Sequence, residues 1–229
     1  MASRPVYKVL TELPFVEETM IDFKWFAGFA VSQKQKSIQA FHKAINNKGL
    51  GQATLEISSK SEIELGVALS AFNLKVELNN QKSVAVENIF QAAKIFQNSG
   101  PHKDLLYKTP LEAKRDIRLK ESGDLTGFQG KEGIWPLEPK TLFYDWIYIN
   151  ALHQNINLAD KIMAYDSFTD IEFNPSKSFN CQARSVALYV GLRSAGKLDF
   201  VLKQSENYKA LIANYHIDND TKPVQKSLI

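Results

Sequence analysis

The stretch "VENIFQAAKIFQ", residues 86–97, carries Glu87, Gln91 and Lys94 at i, i+4 and i+7. If it is helical, these three stack on one side with Phe90 beside them, while Ile89, Ala92, Ala93 and Phe96 share the apolar side. That polar face is either solvated or one wall of a pocket where a carboxylate, an amide, a cation and a ring converge. A second cluster lies in "SFTDIEFNPSKSFNCQA". Asp170 and Glu172 alternate there with apolar residues, so an extended run puts both carboxylates on one side. Asn174-Pro175 then turns the chain and Ser176, Ser178, Asn180 and Gln182 follow. Phe168, Ile171, Phe173 and Phe179 are expected to anchor this loop in the core.

A third cluster is basic. "TPLEAKRDIRLK" places Lys114, Arg115 and Arg118 within one turn of each other on a helix. The face is either solvated and balanced by Glu112 and Asp116, or a set of forked donors able to hold a diphosphate.

Other chemistries lack support in the sequence. The four histidines are scattered, with neither an HExxH nor a CxxC spacing, so no metal site is expected. Cys181, the one cysteine, reads as a small buried residue and fits a reducing compartment. "GDLTGFQGKEG" has neither the Walker A nor the dinucleotide spacing. No apolar run reaches the roughly 20 residues of a membrane span, and the N-terminus has no secretory apolar core. The expected location is the cytoplasm. A net charge of +3 permits an anionic ligand without marking a general nucleic-acid binder.

The elements that must position these groups follow from periodicity and punctuation. A helix is expected over "KSIQAFHKAINNKG", stopped near Gly49, and then a short strand at "ATLEIS". "LSAFNLKVELNNQKSVAVEN" reads as an extended segment, a turn at Asn79-Asn80 and a strand leading into the helix at 86–97. Thr109, Pro110 and Glu112 form a capping-box signature for the basic helix. "GDLTGFQGKEGIWPLEP" reads as a loop, "KTLFYDWIYINALHQ" as a core helix, "NLADKIMAYD" as its helical continuation, "FTDIEF" as extended and "CQARSVALYVGLRSAG" as a last helix. The expected class is α+β, a single mainly helical domain over 1–229 with a few short strands. The tail, about 218–229, is expected to fray.

In this order the motifs resemble the NADAR family: a helix-opening Glu in "E-x-x-F-Q-A-x-K", "LSAFNL" upstream, "TPxEAKRxxR" downstream, an aromatic helix after a Trp, and a "D-x-x-F…N" loop before the last helix. The family core corresponds to about 50–197. "RPVY", "LEISSKS", "FYDWIYINAL" and "FTDIEFNPSKSFNCQA" resemble the branch that accompanies DarT-type DNA ADP-ribosyltransferase toxins as antitoxin. Two positions depart from the wider family: Asn88 stands where a His is usual, and Phe173 where a Trp is usual.

The resemblance implies an enzyme that hydrolyses ADP-ribose from guanine in DNA, with no cofactor. Its partners are then ADP-ribosylated single-stranded DNA or ADP-ribose, and the cognate toxin. Alternatives are a non-catalytic protein that neutralises the toxin by binding, and an N-glycosidase acting on a small phosphorylated metabolite. For the hydrolase, Glu87 and Asp170 are the candidate carboxylates, and Lys60 or Lys94 a candidate Schiff-base nucleophile. Arg115 and Arg118 are then expected on the diphosphate, and Phe72 and Trp135 against a base. Ser58, Ser70 and Asn180 are expected on ribose or phosphate oxygens, with Asn73, Phe90, Gln91 and Phe173 completing the binding set.

Overall fold

Residues 2–23 fold back on themselves as a hairpin of β1 (Ala2–Val9) and β2 (Val16–Phe23), paired from Ala2↔Phe23 to Val9↔Val16. Nothing in residues 2–23 of the sequence marks these strands. The reason is that β1 is internal in a sheet ordered β2-β1-β9-β3 and is buried on both faces, so it lacks polar–apolar alternation. The computed structural model describes residues 1–78 and 82–220.

Next come α1 (Val31–Asn47), which starts ahead of the stretch expected from Lys36, and β3 (Thr54–Glu56), within the stretch expected, with Gly49 at φ +67 following the helix end. After α2 (Glu64–Ala68), residues 69–73 form turns rather than an extended segment, with Asn73 N–H bonding Ser70 O at 2.8 Å. The pair β4 (Lys75–Glu77) and β5 (Ser83–Ala85) then leads into α3 (Val86–Ala93). The turn expected at Asn79-Asn80 lies outside the described residues.

The helix expected to continue to residue 97 stops at Ala93. Lys94 is extended (ψ 129) and opens β6 (Lys94–Phe96), which pairs with β7 (Leu125–Gly130). The basic helix also breaks. α4 (Pro110–Arg115) has the full capping box, but Asp116 turns extended (ψ 128), and Arg118 opens a separate α5 (Arg118–Glu121). The stretch expected as a loop instead forms the hairpin of β7 and β8 (Gly133–Trp135), turned at Gly133 with φ +134.

The remaining elements are α6 (Leu142–Gln154), α7 (Ile156–Ile162), β9 (Ser167–Thr169), α8 (Gln182–Ser194), α9 (Leu198–Lys203) and α10 (Ser205–Asp220). Part of the tail expected to fray thus belongs to α10, and 221–229 lie outside the described residues. The architecture is mixed α+β, with short strands in small sheets.

The β2-β1-β9-β3 sheet separates two apolar layers. Val6 points to one side, with Ile21, Phe23, Ile171 and the buried face of α1 (Ile38, Phe41, Ile45). Its neighbour Tyr7 points to the other, toward α6 and α8. Those two helices supply Tyr148, Ile149, Leu152, Val186 and Leu188, and Arg184 pairs with the buried Asp145 across them. This larger layer forms the floor on which α3 and the 170–180 loop rest.

Candidate active site

The start of α3 is fixed by backbone alone. Val86 N–H bonds Leu74 O at 3.0 Å and Glu87 N–H bonds Ala71 O at 2.9 Å, locking the helix to the turn that carries Ser70 and Phe72. Glu87, in the first turn, is only 5 % exposed. Its Oε1 accepts from Gln91 Nε2 at 2.8 Å and lies 3.7 Å from Lys114 Nζ. The carboxylate is thus held in place by one amide donor and one ammonium.

Around it opens a cavity of about 1120 Å³. One wall is aromatic: Phe90, Phe128, Phe143 and Tyr144, with Phe90 edge-on to Tyr144 at 5.1 Å and Phe128 stacked on Phe143 at 4.9 Å. The rest of the lining includes Lys114 and Arg115 of α4 and residues of the 170–180 loop. Lys114 Nζ also sits 5.1 Å from the Phe72 ring. Two polar atoms of lining residues, Ser70 Oγ and Gln91 Oε1, are buried with no hydrogen-bond partner in the protein. Leaving such atoms unpaired costs about 1–3 kcal/mol each.

Lys94, the first residue past α3, also lines the cavity, with its ammonium 4.9 Å from the Phe90 ring. Burial lowers its pKa to about 8, against an opposing pull from Glu87 and with Lys114 adding to the depression. Lys60 is less buried: its ammonium bonds Ser59 Oγ at 2.7 Å and lies 4.0 Å from Glu172.

Asp170 follows directly on β9, which ends at Thr169. The extended run expected through Glu172 therefore becomes a turn, and the two carboxylates differ in setting. Asp170 Oδ1 accepts the N–H groups of Glu172 (2.9 Å) and Phe173 (3.1 Å), whereas Glu172 is exposed. Burial raises the Asp170 pKa well above the usual carboxylate range, and the neighbouring charge of Glu56 raises it further. Glu56 is itself buried, accepting from Thr169 Oγ1 (2.7 Å) and Ile171 N–H (2.8 Å). His42 Nε2 lies 2.8 Å from the same Thr169 hydroxyl. Because that hydroxyl donates to Glu56, His42 is the donor, and burial depresses its pKa to about 4.

Of the residues singled out from the sequence, the cavity is lined by Lys60, Ser70, Phe72, Glu87, Phe90, Gln91, Lys94, Arg115, Asp170, Phe173 and Asn180. Four lie elsewhere. Arg118 is committed to Asp104 (2.7 Å) and Asp116 (2.8 Å), because the break at Asp116 swings it away from Arg115. Trp135 is 1 % exposed, packed against Phe143 and Trp146, with Gly130 so close that a Cβ there would lie 2.4 Å from the indole nitrogen. Ser58 is fully buried and accepts from Lys60 N–H at 3.2 Å. Asn73 caps the turn after α2 by donating to Val67 O at 2.9 Å. The anchor expected of Phe179 is also absent, since this ring is 60 % exposed.

Two further lining residues matter: Tyr144, which the sequence does not mark, and Gln182, which it places in the polar cluster without a role. Tyr144 is hidden within an apolar helix; burial raises its pKa strongly, and nearby Glu87 adds to the effect, so its hydroxyl keeps its proton. Gln182 ties two lining loops together, donating to Ile57 O at 2.6 Å and accepting Ala71 N–H at 2.8 Å. Asn88, at the position where the wider pattern has His, bonds the carbonyls of Leu105 and Lys108 at 2.7 and 2.8 Å and turns away from the cavity.

A family model described as "DarT1-associated NADAR antitoxin" matches residues 2–222. The chain belongs to this family. The match takes in the N-terminal hairpin and α10 as well as the core over 50–197, so the NADAR antitoxin unit here includes the β2-β1-β9-β3 sheet that carries Asp170. No curated protein matches the chain in sequence. Among the described residues no helix is long and apolar enough to cross a membrane, and no group of three His, Cys, Asp or Glu side chains is placed to hold a metal ion.

Proposed function

We propose that this NADAR antitoxin is a hydrolase that removes ADP-ribose from guanine bases in DNA, reversing the modification made by a DarT-type toxin. The observation that carries the proposal is the buried Glu87 carboxylate, held by Gln91 and Lys114, beside the unpaired Ser70 Oγ and Gln91 Oε1 in an aromatic-walled cavity. A base offers a face to Phe72 or Phe90, and the cavity they line has room for the ribose beside Glu87. Arg115, exposed and without an ion pair among the described residues, is available to the diphosphate. The guanine amine lies in the minor groove of a duplex, so single-stranded or opened DNA is the expected substrate. The cognate toxin is a second expected partner.

In the reaction, the bond between ribose C1 and the guanine amine breaks with its electron pair going to nitrogen. Asp170, kept protonated by burial and by Glu56, supplies the proton that nitrogen takes up. Glu87 stabilises the oxocarbenium charge at C1 and accepts a proton from the water that adds there. Guanine is restored, ADP-ribose leaves, and solvent exchange returns the proton from Glu87 to Asp170.

A second route is favoured by one observation, the depressed pKa of Lys94. Opening the ribose ring would give an imine between C1 and the guanine nitrogen. Neutral Lys94 Nζ would add to C1 and expel the guanine amine, and water would then hydrolyse the lysine imine. Lys60, more exposed and beside Glu172, has no comparable feature.

The test is incubation of the purified protein, with chelator, against three substrates: a guanine-modified single-stranded oligonucleotide, the same sequence as duplex, and a phosphorylated ribosyl-pyrimidine. Release of ADP-ribose from the single strand is expected by mass spectrometry. Cleavage of the small metabolite alone would assign an N-glycosidase of another branch. Toxin neutralisation without cleavage of any substrate would assign a binding protein.

A further inference from the structure

The cavity mouth holds a feature that the proposed chemistry leaves unused. Phe179 stands 60 % exposed on the loop between Phe173 and Cys181, whose own side chains are buried. Its described ring contact is Lys140 Nζ, 3.7 Å from the ring centroid, reaching over from the segment before α6. Lys177 lies on the same loop, and neither Lys140 nor Lys177 forms an ion pair among the described residues. The acids nearby are otherwise engaged: Glu172 faces Lys60, and Glu138 accepts Lys140 N–H at 3.0 Å. The mouth thus combines an exposed ring, one face of which meets Lys140, with two ammonium groups that no carboxylate pairs among the described residues. That pairing of stacking platform and phosphate-seeking cation suits a single nucleic-acid strand.

We propose that Phe179, Lys140 and Lys177 form a separate subsite for the nucleotide adjoining the modified guanine. The neighbouring base stacks on Phe179 and its phosphate meets the two lysines. This rests on the reading of the cavity as the seat of ADP-ribosylated guanine, and adds that the strand crosses the mouth on the Phe179 side. The chemistry selects single-stranded DNA over a free modified nucleoside.

The test compares kcat/KM on a single-stranded oligonucleotide bearing one central ADP-ribosylated guanine with kcat/KM on ADP-ribosylated deoxyguanosine. Wild type, Phe179→Ala, Phe179→Trp and the double variant Lys140→Ala/Lys177→Ala are measured, each with a thermal melt. The expected result is that Phe179→Ala and the double variant lower the oligonucleotide-to-nucleoside ratio by about tenfold or more, while Phe179→Trp retains it. An unchanged ratio in Phe179→Ala, with wild type active on both substrates, overturns the subsite alone. The same unchanged ratio together with weakened toxin capture assigns the patch to a protein partner and likewise overturns it. Wild type inactive on both substrates overturns the hydrolase reading itself.

Discussion

Gln91 Nε2 donates to Glu87 Oε1 at 2.8 Å across one turn of α3, and this leaves Gln91 Oε1 buried and unpaired in the same cavity. One side chain thus fixes the carboxylate and is itself locked among buried neighbours. The i, i+4 spacing makes this possible, and the backbone bond from Glu87 to Ala71 makes it rigid. Gln91→Leu is expected to slow turnover about 10- to 100-fold, the worth of one hydrogen bond to a charged group, with a small change in melting temperature. Single-turnover rates beside thermal melts check it; a large loss of stability at normal rate would make Gln91 a structural residue.

The two arginines that looked equivalent in sequence should behave oppositely. Arg115→Ala is expected to weaken ADP-ribose binding about tenfold or more and leave the fold unchanged. Arg118→Ala breaks contacts to Asp104 and Asp116 and should lower stability slightly, by about 1 kcal/mol or less at an exposed site, with affinity unchanged. Calorimetric titration with ADP-ribose and a melt on each variant separate the two.

Lys94 carries a pH signature. Its pKa of about 8 lies below the ordinary 10.5, so the unfolded chain binds more protons between those values and stability should rise with pH across that window. Lys94→Met removes the burial cost of the charge and should raise the melting temperature at pH 7. If the amine is the nucleophile, the wild-type rate climbs toward a plateau above pH 8, and borohydride traps ADP-ribose on Lys94. A rate that instead falls as pH rises, with no trapped adduct, assigns the step to the carboxylates.

His42 acts in the acid range. Its pKa of about 4 lies below the ordinary 6.5, so the stability it contributes is complete above 6.5 and lost as pH falls toward 4, up to about 3 kcal/mol. Glu56 and Asp170 face the same network with raised pKa values and act in the opposite direction, so the difference between wild type and His42→Gln isolates the histidine. Glutamine keeps an N–H for Thr169 without titrating. The wild-type denaturant midpoint should fall relative to that of His42→Gln as pH drops from 7 to 4, and an unchanged difference would remove the histidine from the acid response.

What the sequence revealed of the site depended on how local the signal was. Glu87, Gln91 and Lys94 were legible because helical spacing alone aligns them, even though the helix ends one residue before Lys94. Arg118 and Trp135 were misread because their surroundings are tertiary. Nothing in "KRDIRLK" requires Asp116 to turn extended, and nothing in "GIW" shows that the indole lies over Gly130. Tyr144 was invisible because an apolar helix has many possible inward faces. The N-terminal hairpin was missed because Val6 and Tyr7 serve opposite core layers, which erases the alternation that marks an edge strand. Phe179 was misread in the other direction, since an aromatic between buried neighbours suggests a core residue and here stands at the cavity mouth.

The most direct measurement is a single-turnover assay of wild type and Glu87→Gln on a single-stranded oligonucleotide bearing one ADP-ribosylated guanine, with ADP-ribose affinity and a thermal melt measured on the same samples. The substitution keeps size and hydrogen-bonding capacity while removing the charge that Gln91 and Lys114 hold in place. The account predicts a folded variant that binds ADP-ribose and hydrolyses at least about 100-fold more slowly. A folded, ligand-binding Glu87→Gln that cleaves at the wild-type rate would contradict it.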